Sequence, residues 1–145
     1  VGFSDDLLTG VAAYLASGGV GTWKPSGAYL PADVRPIVIT SVPSSPDEVI
    51  VLTPYVVSDS YSMSDSVQGL QVRTRGSRDP RTVQDVDDDV FDRLHGAHGV
   101  TLPGGLRLVM CERRSGTPLG TDGNGRHERT SNYALTVWRP SSHRT

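Results

Sequence analysis

Between Pro118 and Leu135 the chain reads PLGTDGNGRHERTSNYAL, setting Asp122, Asn124, Arg126, His127 and Glu128 close together among glycines. These residue types suit a calcium loop, a catalytic pocket or a charged turn. An EF-hand loop starting at Asp122 would need oxygen at its fifth position, glycine at its sixth and a bidentate glutamate at its twelfth, where this chain has Arg126, His127 and Tyr133. Calcium fails on spacing. A zinc centre needs converging imidazoles, thiolates or carboxylates, yet His95, His98, His127 and His143 lie in different segments without an HxxxH or HExxH pair. Cys111 stands in mid-strand, no serine occupies a GxSxG elbow, and no GxxxxGK[ST] run is present to cradle phosphates. The expectation is no catalytic residue, no metal and no cofactor.

The stretch is best read as a turn between two strands, with Gly120, Gly123 and Gly125 letting the chain reverse and polar side chains projecting from the tip. LRLVMCERR before it and ERTSNYALTVWRP after it both alternate, the second with Tyr133, Leu135 and Val137 on one face. Upstream, SDDLLTGVAAYLASGG predicts an amphipathic helix, capped by Ser4, stopped by Gly18-Gly19, and apolar along Leu7, Leu8, Val11, Tyr14 and Leu15. A Gly- and Pro-rich connection follows, anchored by Trp23 and Tyr29. PIVITSV and EVIVLTPYVV, separated by PSSPD, predict a hairpin. In QGLQVRTRG, Leu70, Val72 and Thr74 face one way and Gln71, Arg73 and Arg75 the other. A second helix begins at the cap Asp79 with Pro80 in its first turn; Val83, Val86, Val90, Phe91 and Leu94 form its apolar stripe and Asp85, Asp88, Asp89 and Asp92 its acidic face. The final PSSHRT is expected to fray.

This order predicts one α+β domain over 1–145: a mainly antiparallel or mixed sheet, two helices packed on one face, and a long hairpin arm near the C-terminus. At 145 residues the chain is long enough to bury about two thirds of its unfolded surface. A formal charge of −2 excludes a strongly basic nucleic-acid footprint, and the single cysteine excludes an internal disulfide. No apolar run approaches the roughly 20 residues needed to cross a bilayer, and the first residues lack a basic segment followed by an apolar core. A soluble, unexported protein made in a reducing compartment is expected.

The strand QGLQVRTRG, the helix opening DPRTVQDV, the strand ending in Arg113-Arg114, and PLGTDGNGRHERTSNYAL before a last strand together resemble bacteriophage minor capsid or tail terminator proteins of long-tailed phages. The C-terminal half carries the likeness most distinctly. The resemblance implies a structural protein without catalytic residues, forming a ring, usually hexameric, at the head-proximal end of the tail. Such a ring stops tail-tube polymerisation and offers a docking face to the head. Its partners would be further copies of itself, the major tail tube protein and a head-completion or neck protein. Genome DNA would pass through the lumen without specific binding, and the protein would reside at the tail-to-head joint of the virion after assembly in the host cytoplasm. A neck connector and a small ligand-binding domain or enzyme are the alternatives. A ring closes through unlike patches on neighbouring copies, and stiffly held arginines suit such contacts. The interface candidates are Arg73, Arg75, Arg113, Arg114, Asp122, Asn124, Arg126 and Glu128.

Overall fold

The structure, a computed structural model, describes residues 2–59 and 65–139. The expected fraying of 140–145 and His143 lie outside the described residues. Helix α1 spans Phe3–Ser17 and α2 spans Pro80–Leu94. Strands β1 (Ile37–Ile39), β2 (Val49–Asp59), β3 (Asp65–Arg75), β4 (His98–Thr101), β5 (Arg107–Thr121) and β6 (His127–Trp138) form one sheet in the order β1-β2-β3-β6-β5-β4. All pairings are antiparallel except β1 with β2.

The helix ends follow local chemistry. Ser4 does not cap α1: Gly2, in extended conformation, is the cap residue, and its carbonyl takes the first helical bond from Asp6 N at 3.0 Å. At the other end Gly19 turns through φ +78°, and Val20 N bonds back to Leu15 O at 3.1 Å while Val20 itself is buried. This closure satisfies carbonyls the helix leaves open. Asp79 caps α2 as expected, its Oδ1 accepting from Arg81 N at 3.0 Å, with Pro80 first in the helix. Immediately upstream, a Cβ on Gly76 would sit 2.4 Å from Val83 N, so only glycine lets β3 end this close to α2.

Both helices pack on one face of the sheet. Leu7, Val11 and Leu15 of α1 and Val86, Val90 and Leu94 of α2 share one apolar core with strand residues such as Leu52, Val72, Tyr133 and Leu135. On the opposite, outward face Tyr29 covers Val38, Val49 and Val51 at one end. Tyr29 and Trp23 thus anchor the irregular connection, as expected, one on each apolar cluster.

The predicted β1–β2 hairpin is not formed. The two strands are parallel, with Ile37 opposite Ile50 and Ile39 opposite Leu52. Parallel neighbours ordinarily need a crossover of a dozen residues or more. Here β1 is only 3 residues long, so residues 40–48 suffice to bring the chain back. Thr40, at φ +63°, ends β1, and Ile50 N then bonds to Pro36 O at 2.9 Å. The antiparallel partner of β2 is instead β3. The short β4, unread from the sequence, pairs with the start of β5. Alternation in β5 is broken by register shifts between Leu108 and Met110, Arg113 and Ser115, and Pro118 and Gly120. Each inserts a residue and re-aims those after it.

Candidate functional site

The long hairpin is made by β5 and β6, with residues 122–126 as its turn. Asp122 closes that turn: its Oδ1 accepts from Asn124 N and Arg126 N, both at 2.9 Å, and its Oδ2 accepts from Arg126 Nε at 2.9 Å. The backbone bond from Arg126, with those from Asn124 and the guanidinium, holds the Asp122 carboxyl below the usual carboxylate range. The Asn124 carbonyl accepts from Arg78 Nε at 2.9 Å. Thus the acid that suggested a metal loop serves as a turn clamp. Among the described residues no three His, Cys, Asp or Glu side chains gather to hold a metal. Cys111 is fully buried, and burial pushes its thiol up to about 12, so little thiolate exists near neutrality.

On the outward face, two arginines run under the 43–47 loop. Arg75, only 4% exposed, donates to the carbonyls of Pro43, Pro46 and Asp47, each at 2.8 Å. Burial, then the neighbouring Arg126 charge, lowers its pKa. Arg126, equally hidden, reaches the Ser44 carbonyl and lies 3.5 Å from Asp47 Oδ1. Beside them Arg73 Nη2 meets Glu128 Oε1 at 2.6 Å, with the Glu128 side chain largely buried.

The helix-facing side of the hairpin carries a second network, which sequence reasoning missed. Asp87 of α2, 2% exposed, accepts from Ser131 Oγ at 2.8 Å, Arg129 Nε at 3.2 Å and Arg113 Nη1 at 3.4 Å. The Arg113 guanidinium also lies over the Phe91 ring, 4.2 Å from its centroid, and its backbone N donates to His95 Nδ1 at 3.0 Å. A buried carboxylate is tolerated because charge and hydroxyl partners replace water. The signal was present: Asp87 falls on the α2 stripe between Val83 and Val90, and Ser131 occupies the apolar phase of Tyr133, Leu135 and Val137. A polar residue on each of two facing apolar stripes indicates a buried pair.

Of the interface candidates, Arg73, Arg75, Arg113, Asp122, Arg126 and Glu128 therefore hold the hairpin to its own fold. Arg114 is mostly exposed and pairs with Glu112 at 2.9 Å, and Asn124 stands exposed at the turn. The β6 leg lies in mid-sheet. Along β5, by contrast, β4 reaches no further than Met110, so from Arg114 to Thr121 no strand lies on the outer edge among the described residues. The chemistry on offer is rigid presentation of a strand edge, braced on both faces.

Comparison with known proteins agrees with an assembly role. The family described as bacteriophage tail terminator protein matches residues 14–138. No curated protein matches the chain. Among solved structures, a chain from one described as "Virion of native gene transfer agent (GTA) particle" has the same fold, with a TM-score of 0.57 at 17% identity, covering 70% of this chain and 78% of that one.

Proposed function

Because this chain belongs to the bacteriophage tail terminator family and is a structural virion protein, we propose that it forms a closed ring, hexameric in the complete particle, at the head-proximal end of the tail. The ring stops growth of the tail tube and presents a docking face to the head-completion complex. Its partners are further copies of itself, the major tail tube protein and the neck, and it works without catalysis or cofactor. The observation that carries this reading is the family match over 14–138. The braced hairpin supports it, since a capping surface must keep its shape while a polymer ends against it.

Electron microscopy of purified protein mixed with growing tail tubes tests the proposal. Rings at one tube end, with tube length arrested, are expected. Tubes that lengthen past added protein overturn termination, and rings seated only on heads would make the protein a neck connector. Within the ring, the exposed Arg114, Asn124 and the partly exposed Arg73 are proposed to touch a neighbour. Arg114→Glu with Asn124→Lys should weaken the ring, whereas unchanged sizing and termination would remove them from the interface; reversal at Arg73 would strand the largely buried Glu128 and report folding. Reversal at Arg75 or Arg126 would report folding instead, because both are buried.

A further inference from the structure

The tip of the hairpin carries a chemically labile pair. Asn124 is followed by Gly125, whereas the chain's other asparagine, Asn132, precedes Tyr133 in the middle of β6. In an Asn-Gly pair the glycine backbone nitrogen can attack the asparagine side-chain amide carbon, because no Cβ on the following residue crowds the approach. Its proton passes to solvent base, the new C–N bond closes a succinimide ring, and the side-chain nitrogen takes a proton from solvent and leaves as ammonia. Water then opens the ring to aspartate or isoaspartate.

Asn124 is exposed, so water and base reach it, but the turn occupies the atoms the reaction needs. Gly125 N donates to the Asp122 carbonyl at 3.0 Å, with Gly125 at φ +75°, the left-handed position that ends the hairpin loop. The amides on either side, Asn124 N and Arg126 N, both donate to Asp122 Oδ1 at 2.9 Å. The Gly125 nitrogen would have to give up a hydrogen-bonded proton next to a carboxylate whose charge opposes the anion formed. Arg78 acts in both senses: its Nε donates to the Asn124 carbonyl at 2.9 Å, which fixes the peptide unit joining Asn124 to Gly125, while its charge favours an anion there. The Arg126 charge is matched by Asp122 Oδ2 at 2.9 Å. Geometry decides, since a nitrogen held in the turn must be released before it can meet the side chain, and the reaction therefore runs through the opened turn. Asn132 is held differently. Its Nδ2 donates to Ser115 Oγ at 3.0 Å, and the Tyr133 that follows is fully buried in the sheet.

We propose that Asn124 is a site of spontaneous deamidation in this protein, and that the Asp122 clamp sets its rate by keeping the Gly125 amide in the turn. The product matters to the fold. Isoaspartate places an extra backbone carbon between residues 124 and 125, which moves Gly125 N and Arg126 N off their Asp122 acceptors and draws the Arg126 guanidinium from the Ser44 carbonyl it serves. The residue that shapes the tip thus also preserves it chemically.

Peptide mapping by mass spectrometry after incubation at mildly alkaline pH tests this. Trypsin releases residues 115–126, whose only asparagine is Asn124, so the mass gained when OH replaces NH2 reads that site. In the separated, folded chain Asn124 should convert about tenfold more slowly than in a synthetic peptide of residues 115–126, and Asn132 should not convert. Asp122→Ala, checked for folding by circular dichroism, should bring the chain to within about threefold of the peptide. Asp122→Ser keeps an oxygen for the two amides without the charge and should fall between; where Asp122→Ala does not fold, a rate above wild type in Asp122→Ser supports the inference and an equal rate refutes it. A folded wild-type chain that converts as fast as the peptide overturns the inference. So does an Asn124 that stays intact in both wild type and Asp122→Ala after the peptide is consumed, and so do folded Asp122 variants that keep the wild-type rate.

Discussion

At the Val49, Arg75 and Glu128 end, the outward face of the sheet is closed by its own chain: Tyr29 covers the valines and the 43–47 carbonyls cover two guanidiniums. At the Tyr55, Val67 and Trp138 end, the same central strands continue with the same pleat and carry no cover among the described residues. The polar residues are thus the hidden ones and several apolar residues the exposed ones. Arginines belong beneath a loop when its carbonyls would otherwise lie buried without donors, and the planar guanidinium serves several at once. Large apolar side chains left in water mark where another surface belongs.

The largest effect expected is at the closed end. Arg75→Ala removes three part-buried hydrogen bonds to loop carbonyls and should cost about 2–4 kcal/mol in urea unfolding; a loss below about 0.5 kcal/mol would show that the loop is held without it. A smaller, pH-dependent effect is expected at the turn. Since the Asp122 pKa is lowered in the folded state, its contribution is present above the ordinary value of about 3.9 and is lost as pH falls through the folded one. Asp122→Asn should therefore flatten the fall in urea midpoint between about pH 4 and pH 2, and an unchanged acid slope would show the clamp to be unimportant. At the open end the smallest effect is expected. Met110→Ser, at an exposed site, should alter the unfolding free energy of the separated subunit by less than about 0.5 kcal/mol. A cost above 1.5 kcal/mol would mean that the patch already packs within its own subunit.

Much of the fold was legible in residue spacing. The α2 start at Asp79-Pro80, the Gly18-Gly19 stop and the period of β3 and β6 formed where local chemistry put them, whereas the reversal read over Pro118–Gly125 is confined to 122–126, because β5 stays paired with β6 through Thr121. The candidate site was legible only in part. Arg75 alternates onto the face opposite Leu70, Val72 and Thr74, as read, yet that face is covered at its position. Asp87 went unread because an aspartate among four others on one helix looks like part of a solvated face until its facing strand is known.

The sequence by itself determined the two helices, the alternating strands β3 and β6 and a glycine-bearing reversal before β6, because periods, caps and turn residues act over a few neighbours and need no distant partner. Tertiary structure alone decided that β1 runs parallel to β2, that Arg75 and Arg126 lie beneath the returning loop, and that Asp87 meets Arg113, Arg129 and Ser131. Each of these depends on which remote segment comes to lie over a given surface, and that is settled by the competition among long-range pairings to bury apolar area and satisfy buried polar groups.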